Sequence, residues 1–136
     1  MRKRAVHAGR VLVVDDEPGM RDLLSRVLGD AGHAVSAVES GEEALVLLAR
    51  EKFDVLVVDK NLPGIDGLGV LRLVRAHQPA LRAIMITAYP SEESDATARA
   101  LGVVAYIVKP FGVLTMIDRV DDAIADGRRA GHAAGT

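Results

Sequence analysis

The sequence lacks cysteine and tryptophan, and only four of its 136 residues are aromatic. Without cysteine there is no disulfide, no thiolate nucleophile and no cysteine-ligated metal, so any nucleophile has to be another side chain. No apolar run approaches the roughly 18 residues that a membrane-spanning helix needs. The basic residues at the start are not followed by the apolar stretch of a secretory signal. We therefore expect a cytoplasmic protein with no membrane partner.

The charge of the chain is nearly balanced overall, with 17 Lys and Arg against 19 Asp and Glu. The balance is uneven along the sequence, because residues 11–125 hold 11 basic and 18 acidic side chains, a net charge of −7. A domain with this excess of acid repels a phosphate backbone, so we expect no direct nucleic-acid binding. The same excess favours binding of a divalent cation.

Length and composition predict a single domain. A chain of 136 residues with 49% apolar content is long enough for one hydrophobic core. We place the domain at residues 9–126, after a basic N-terminal tail at residues 1–8. Residues 127–136 are rich in glycine and alanine and are interpreted as a flexible tail or the start of a linker.

Five apolar runs alternate with five segments of helical periodicity. The runs are Arg10–Val14, Ala34–Val38, Phe53–Val58, Leu81–Ile86 and Val104–Val108. Three of them are nearly continuous in Val, Ile and Leu, which is typical of strands covered on both faces of a parallel sheet. The fourth helical segment has few large apolar residues, so it should bury little and be weakly stable. The pattern predicts an α/β fold with a doubly wound, five-stranded parallel sheet and five helices.

Polar residues follow four of the five predicted strands: Asp15-Asp16-Glu17, Asp59-Lys60-Asn61, Thr87 and Lys109. Ligands of open parallel sheets bind at the carboxyl ends of the strands, so these side chains should meet at one edge. Each has an ordinary explanation alone, since Asp15 or Asp16 would cap the first helix and Asp59 would belong to a turn. Together they have no shared structural explanation, and we interpret them as one site.

The chemistry of that site follows from its charge. Three converging carboxylates raise one another's pKa unless a cation joins them. Oxygen ligands without a nearby His or Cys suit Mg²⁺, which usually takes one or two carboxylates together with a phosphate oxygen. One carboxylate then remains free to attack phosphorus as a nucleophile. Lys109 and Thr87 would hold the other phosphoryl oxygens by hydrogen bonds.

Four segments carry a resemblance to a known family. They are VVDDE at residues 13–17, VVD at 57–59 with PG at 63–64 and DG at 66–67, ITA at 86–88, and YIVKPF at 106–111. These segments resemble the receiver domain of two-component response regulators, the CheY-like superfamily, and the resemblance covers about residues 9–126. It implies the flavodoxin-like receiver fold with strand order 2-1-3-4-5.

The resemblance implies roles for the acidic residues. Asp59 would be the phosphoacceptor, which takes a phosphoryl group from a sensor histidine kinase or a phosphotransfer protein. Asp16 and Asp59 would ligate Mg²⁺ directly, together with the backbone carbonyl of Asn61. Asp15 would hold a metal-bound water. The resemblance therefore predicts Mg²⁺ as the cofactor, with Asp15, Asp16, Asp59 and Asn61 as the residues that bind it.

The resemblance also implies a conformational switch. Lys109 would contact the phosphoryl group, because a cis Lys109-Pro110 bond would aim its side chain inward. Thr87 would move towards the phosphate. Tyr106 would then turn from an exposed to a buried rotamer. Such a protein is not an enzyme in the usual sense, because it catalyses only its own phosphorylation and slow autodephosphorylation. It would signal to an unknown output partner or domain. Dimer formation on phosphorylation is a possibility that the resemblance leaves undecided.

Two other functions are compatible with the predicted sheet. A flavin or nucleotide binder would need a Gly/Ser/Thr-rich phosphate loop after the first strand, where this chain has acidic residues. A receiver-shaped interaction module that is never phosphorylated predicts loss of the acidic residues or of Lys109, and all of them are present.

A further hypothesis concerns Tyr89, which is bulky and two residues after Thr87. We expect its ring to cover the phosphoryl group and slow attack by water.

Overall fold

Strands and helices alternate along residues 8–135, which are the residues that the computed structural model describes, with side chains from 8 to 131. The elements are β1 (Arg10–Val14), α1 (Pro18–Asp30), β2 (Ala34–Val38), α2 (Gly41–Arg50), β3 (Val55–Asp59), α3 (Gly67–His77), β4 (Arg82–Thr87), α4 (Glu92–Ala100), β5 (Val103–Val108) and α5 (Val113–Gly135). The strands form one parallel sheet in the order β2-β1-β3-β4-β5. The α/β fold and the strand order are confirmed.

Two hydrophobic cores lie on opposite faces of the sheet. Alternate residues of β1 point to opposite faces, so Val11 and Val13 join one core while Leu12 and Val14 join the other. The first core is closed by α1 and α5, and the second by α2, α3 and α4. Since β1 and β3 are buried on both faces, neither can shift by one residue without exposing its partners.

The α4 helix is held mainly by its ends. Ser91 caps its N-terminus by accepting a hydrogen bond from the Ser94 N–H at 3.0 Å. Only Ser94 and Ala98 are buried along its length. The helix therefore gains little from apolar burial, as its composition predicts.

The α1 helix begins without an aspartate cap, which was the ordinary explanation for Asp15 or Asp16. Its N-cap residue is Glu17, which makes no capping hydrogen bond with its side chain, and neither Asp15 nor Asp16 caps the helix. Pro18 occupies the first turn, where its fixed φ suits a helix and its missing N–H costs nothing. The aspartates before it are therefore not needed as caps.

The structure also corrects the limits of some elements. The third strand begins at Val55 and not at Phe53, because its pairing with β1 begins where Val55 lies opposite Val11. Asp54, in the loop before this strand, accepts a hydrogen bond from the Arg10 N–H at 2.7 Å. The α5 helix continues to Gly135, so residues 127–135 are helical where the sequence predicts a flexible tail. Alanine and arginine favour a helix there, and Arg128 donates a hydrogen bond to the Ala8 carbonyl.

Two further findings concern the predicted N-terminal tail and the possibility of a membrane-spanning helix. Residues 1–7 of the predicted basic tail lie outside the described residues, and the domain limits 9–126 stay a prediction. Within the described part of the chain, no helix combines the length and the apolar character needed to cross a membrane.

Arg75 of α3 joins the C-terminal ends of two helices. Its Nε donates to the Leu101 carbonyl at 2.6 Å and its Nη2 to the Gly102 carbonyl at 3.3 Å, just after α4. Its Nη1 donates to the carbonyls of Gln78 and Leu81 between α3 and β4. Burial and the neighbouring Arg82 charge lower the pKa of the Arg75 guanidinium.

We predict that Arg75→Met lowers the free energy of unfolding by about 2 kcal/mol, because several half-buried carbonyls lose their donor. Urea unfolding measures the difference. Arg72→Met is the matched control, since Arg72 is exposed on the same helix. An equal loss in both variants would contradict a specific role for Arg75.

Candidate functional site

The Lys109 ammonium is the centre of the polar cluster at the carboxyl edge of the sheet. Its Nζ donates to Asp59 Oδ2 at 2.8 Å, to Asp15 Oδ2 at 2.9 Å and to Glu17 Oε1 at 3.0 Å. The fold explains the convergence: Asp15 follows β1, Asp59 ends β3 and Lys109 follows β5. The Lys109 side chain is 9% exposed, so these ion pairs are shielded from water.

The charges of this cluster perturb one another. Burial alone would lower the pKa of the Lys109 ammonium, but hydrogen bonds with Asp59, Asp15 and Glu17 outweigh it, and the pKa of Lys109 is raised. Burial also raises the pKa of the Asp15 carboxyl, against hydrogen bonds from the Glu17 N–H and from Lys109. Three carboxylates around one ammonium leave two negative charges without a partner. The cluster therefore has the charge and the ligand atoms to hold a divalent cation.

Asp59 is placed by the loop that follows β3. Its side chain is almost fully buried, and Oδ1 accepts a hydrogen bond from the Asn61 N–H at 2.8 Å. The loop turns tightly because Gly67 packs on the backbone: a Cβ there would lie 2.4 Å from the Asp59 carbonyl oxygen and 2.8 Å from the Lys60 Cα. Gly67 thus lets α3 begin directly against the end of the strand.

Thr87 lies on the other side of this loop. Its hydroxyl is fully buried and donates to Asn61 Oδ1 at 2.8 Å, while Thr87 Oγ1 accepts from the Tyr89 N–H at 2.9 Å. The hydroxyl is therefore occupied by Asn61, and it must give up that bond before it can reach a group on Asp59. Tyr89 itself is 72% exposed.

Two expected site residues lie outside the carboxylate cluster. Asp16 is exposed and lines a groove together with Lys60 and Asn61. Among the residues that the structure describes, the acidic cluster consists of Asp15, Glu17 and Asp59, whose carboxylate oxygens lie within 4.8 Å of one another. Glu17 was missed as a site residue, although its place in the same acidic triplet was a usable signal.

Tyr106 is the second of these residues, and it is half-buried on β5. Its hydroxyl forms a 2.7 Å hydrogen bond with Ser94 Oγ of α4. The tyrosine is thus tied to α4 in this structure. The Lys109-Pro110 peptide bond is cis, as expected.

The fold and the site together define a class: a doubly wound α/β domain with a cluster of acidic residues around a lysine at the carboxyl edge of its sheet. The family model for the response regulator receiver domain matches residues 11–121. The chain belongs to this family and is a receiver domain of two-component response regulators.

Curated relatives agree with this family. The chain is 40% identical over 113 residues to the response regulator protein FleR of Pseudomonas aeruginosa, covering 83% of this chain and 24% of that protein. It is 36% identical over 117 residues to the DNA-binding transcriptional regulator NtrC of Escherichia coli, covering 86% and 25%. The chain therefore spans about a quarter of the length of these relatives.

Solved structures agree as well. A CheY-like receiver domain protein from Methanospirillum hungatei has a TM-score of 0.88 at 25% identity, covering 91% of this chain and 99% of that chain. NtrX from Brucella abortus, in a complex with ADP, has a TM-score of 0.87 at 28% identity. The match to NtrX covers 94% of this chain and 30% of that chain.

We predict that Asp15→Asn stabilises the metal-free protein at pH 7 by on the order of 1 kcal/mol. The raised pKa of Asp15 means that its ionised form is less stable in the folded than in the unfolded chain, so its ionisation costs stability as pH rises. The gain should shrink as pH falls towards 3.8, the ordinary pKa of the group. Urea unfolding across pH measures this, with exposed Asp22→Asn as control. A destabilised Asp15→Asn at pH 7 would contradict the argument.

Proposed function

We propose that Asp59 accepts a phosphoryl group from a sensor histidine kinase or a phosphotransfer protein in a Mg²⁺-dependent reaction. The observation that carries the proposal is the convergence of the Asp59 and Asp15 carboxylates on the Lys109 ammonium in a shielded edge of the sheet. A buried carboxylate beside a lysine is suited to attack phosphorus, because the ammonium offsets the charge of the incoming group.

The residues at this edge fit a magnesium ion. The donor atoms are all oxygens, and the cluster has two negative charges without a partner. Asp15, Asp16, Asp59 and the backbone carbonyl of Asn61 would hold the ion. When bound, Mg²⁺ would neutralise charge between the carboxylates and the phosphoryl oxygens. The exposed Asp16 borders the groove beside Asn61.

The transfer itself needs few moving groups. An Asp59 oxygen bonds to phosphorus as the bond from phosphorus to the donor's histidine nitrogen breaks. Lys109 then exchanges a carboxylate partner for a phosphoryl oxygen, and Thr87 gives up Asn61 for another. Tyr106 follows Thr87 and changes its rotamer. The protein acts as a switch that catalyses only its own phosphorylation and slow autodephosphorylation.

The output of the switch lies with another partner or domain. FleR and NtrC are about four times as long as the region they share with this chain, and NtrC carries the name of a DNA-binding regulator. The net charge of −7 over residues 11–125 disfavours a contact between this domain and DNA. We infer a cytoplasmic regulator whose receiver signals to a separate output unit, with a phosphorylation-dependent dimer as one route.

We predict that the protein gains one acid-stable, base-labile phosphate when incubated with Mg²⁺ and acetyl phosphate. Asp59→Asn should gain none, because the nucleophilic oxygen is replaced by an amide, and chelation of Mg²⁺ should abolish the gain in the parent. Intact-mass spectrometry measures the added phosphate, and Asp22→Asn serves as a control on an exposed helix position. Equal labelling of Asp59→Asn would overturn the phosphoacceptor assignment.

We predict that Tyr89→Ala loses phosphate several-fold faster than the parent, because the Tyr89 ring, which is exposed in the unphosphorylated protein, can then no longer fold over the phosphoryl group and hinder water. Tyr89→Phe keeps the ring and should match the parent. The decay of the phosphorylated form after removal of the phosphodonor gives both rates. If Tyr89→Ala decays no faster, the ring does not protect the phosphate.

A further inference from the structure

Lys60 directly follows the proposed phosphoacceptor, but its side chain leaves the acidic cluster. Its Nζ donates to the Tyr89 carbonyl in the loop between β4 and α4, and to Ser94 Oγ at 3.3 Å. Both partners are neutral, and the Lys60 side chain is half-buried. A lysine whose stem is held against the fold and whose ammonium binds neutral acceptors has lost water without gaining an opposite charge. Its hydrogen bonds therefore fix the loop in a defined place.

Ser94 extends this contact to β5. Its hydroxyl lies 2.8 Å from Ser91 Oγ and 2.7 Å from the Tyr106 hydroxyl. Ser94 is one of the two buried residues of α4, and it is the only one of them with a polar side chain. The contacts of Lys60, Ser94 and Tyr106 thus join the end of β3, the start of α4 and the middle of β5.

The same lysine acts on Thr87 through Tyr89. The Tyr89 N–H donates to Thr87 Oγ1, and the Tyr89 carbonyl accepts from Lys60. With both backbone groups of Tyr89 engaged, the loop holds the Thr87 hydroxyl where it donates to Asn61. Movement of Thr87 towards Asp59 has to break or stretch these bonds. The cost of that movement depends on Lys60.

We propose that Lys60 is a positioning residue that holds the β4–α4 loop and, through Ser94, Tyr106 in the resting arrangement. Loss of its ammonium frees the loop and increases the fraction of phosphorylated molecules in which Tyr106 changes its environment. The first part concerns the unphosphorylated protein alone. The second part rests on the proposed phosphorylation of Asp59.

The first experiment measures amide hydrogen exchange of the unphosphorylated protein by NMR. In Lys60→Met the protection of the Tyr89, Ser94 and Asp95 amides should fall about tenfold, the effect of losing a hydrogen bond to a charged donor. Lys60→Arg keeps a donor and should restore most of the protection. Lys52→Met removes the same charge from an exposed position and should change nothing. The sheet amides should lose no more protection than these three amides, because the same lost contact also lowers the free energy of global unfolding.

A second experiment uses tyrosine fluorescence, because the chain has no tryptophan and only two tyrosines. In a Tyr89→Phe background Tyr106 is the sole reporter, and acetyl phosphate with Mg²⁺ is added while mass spectrometry follows phosphorylation. In Lys60→Met the fluorescence change per phosphorylated molecule should be larger than in the background, because more of the phosphorylated molecules move Tyr106 out of the resting arrangement. Ser94→Ala should alter the starting fluorescence of Tyr106 and leave the Tyr89 amide protected, because the contact of Lys60 with the Tyr89 carbonyl remains.

Distinct outcomes separate this proposal from the proposed function. Unchanged exchange of the three amides in Lys60→Met, or an equal loss in Lys52→Met, overturns the positioning role. A fall in the urea midpoint and in the protection of the sheet amides without a fall at the three loop amides assigns Lys60 to general stability and overturns it too. Absence of phosphate on Asp59 in the parent overturns the proposed function, while the exchange experiment still decides the role of Lys60 in holding the loop.

Discussion

The three-way contact of the Lys109 ammonium with Asp15, Glu17 and Asp59 is the interaction on which the edge of this domain depends. Two of these carboxylates are buried, and they stand at the ends of neighbouring strands, where their charges repel. One ammonium bridges the two carboxylates but does not balance the acidic side chains around it. The resting site is therefore stable enough to fold and unsatisfied enough to accept a further cation. In the proposed phosphorylation, the phosphoryl group would compete for the same ammonium, which would couple binding at the edge to rearrangement within it.

The sheet makes this contact obligatory. In the parallel pairing of β1 with β3, Val14 lies opposite Val58, so Asp15 and Asp59 follow side by side. Each strand is buried on both faces, and a shift of one residue would carry a carboxylate into one of the apolar cores. The Asp15 N–H also donates to the Val38 carbonyl at 3.2 Å, which fixes the start of the loop. The hydrophobic pattern of the strands thus determines where the charged residues of the site lie.

The sequence predicted what depends on local pattern and missed what depends on distant side chains. The strands of β1 and β3 could be read from their apolar runs, and Asp15, Asp59, Thr87 and Lys109 from their places at strand ends. The acidic triplet pointed to Glu17 as one of three candidates, but it could not show that Glu17 contacts Lys109, because the two residues lie 92 positions apart in the chain. The helical state of residues 127–135 was also missed, since their glycines favour a flexible tail in local terms while the α5 helix carries them onward.

The α4 helix shows how a weakly buried element can still respond in one direction. Its C-terminal end is followed by Leu101 and Gly102, whose carbonyls both accept from the guanidinium of Arg75. Its N-terminal end depends on hydrogen bonds of Ser94, shared with Tyr106 and Lys60. A planar guanidinium that bonds several carbonyls at once is harder to displace than single hydroxyl contacts, because its bonds must break together. With only Ser94 and Ala98 buried between the two ends, the free energy that resists motion is unequal along the helix. A displacement that begins at Thr87 and Tyr89 therefore moves the N-terminal end of α4 more easily than the end held by Arg75.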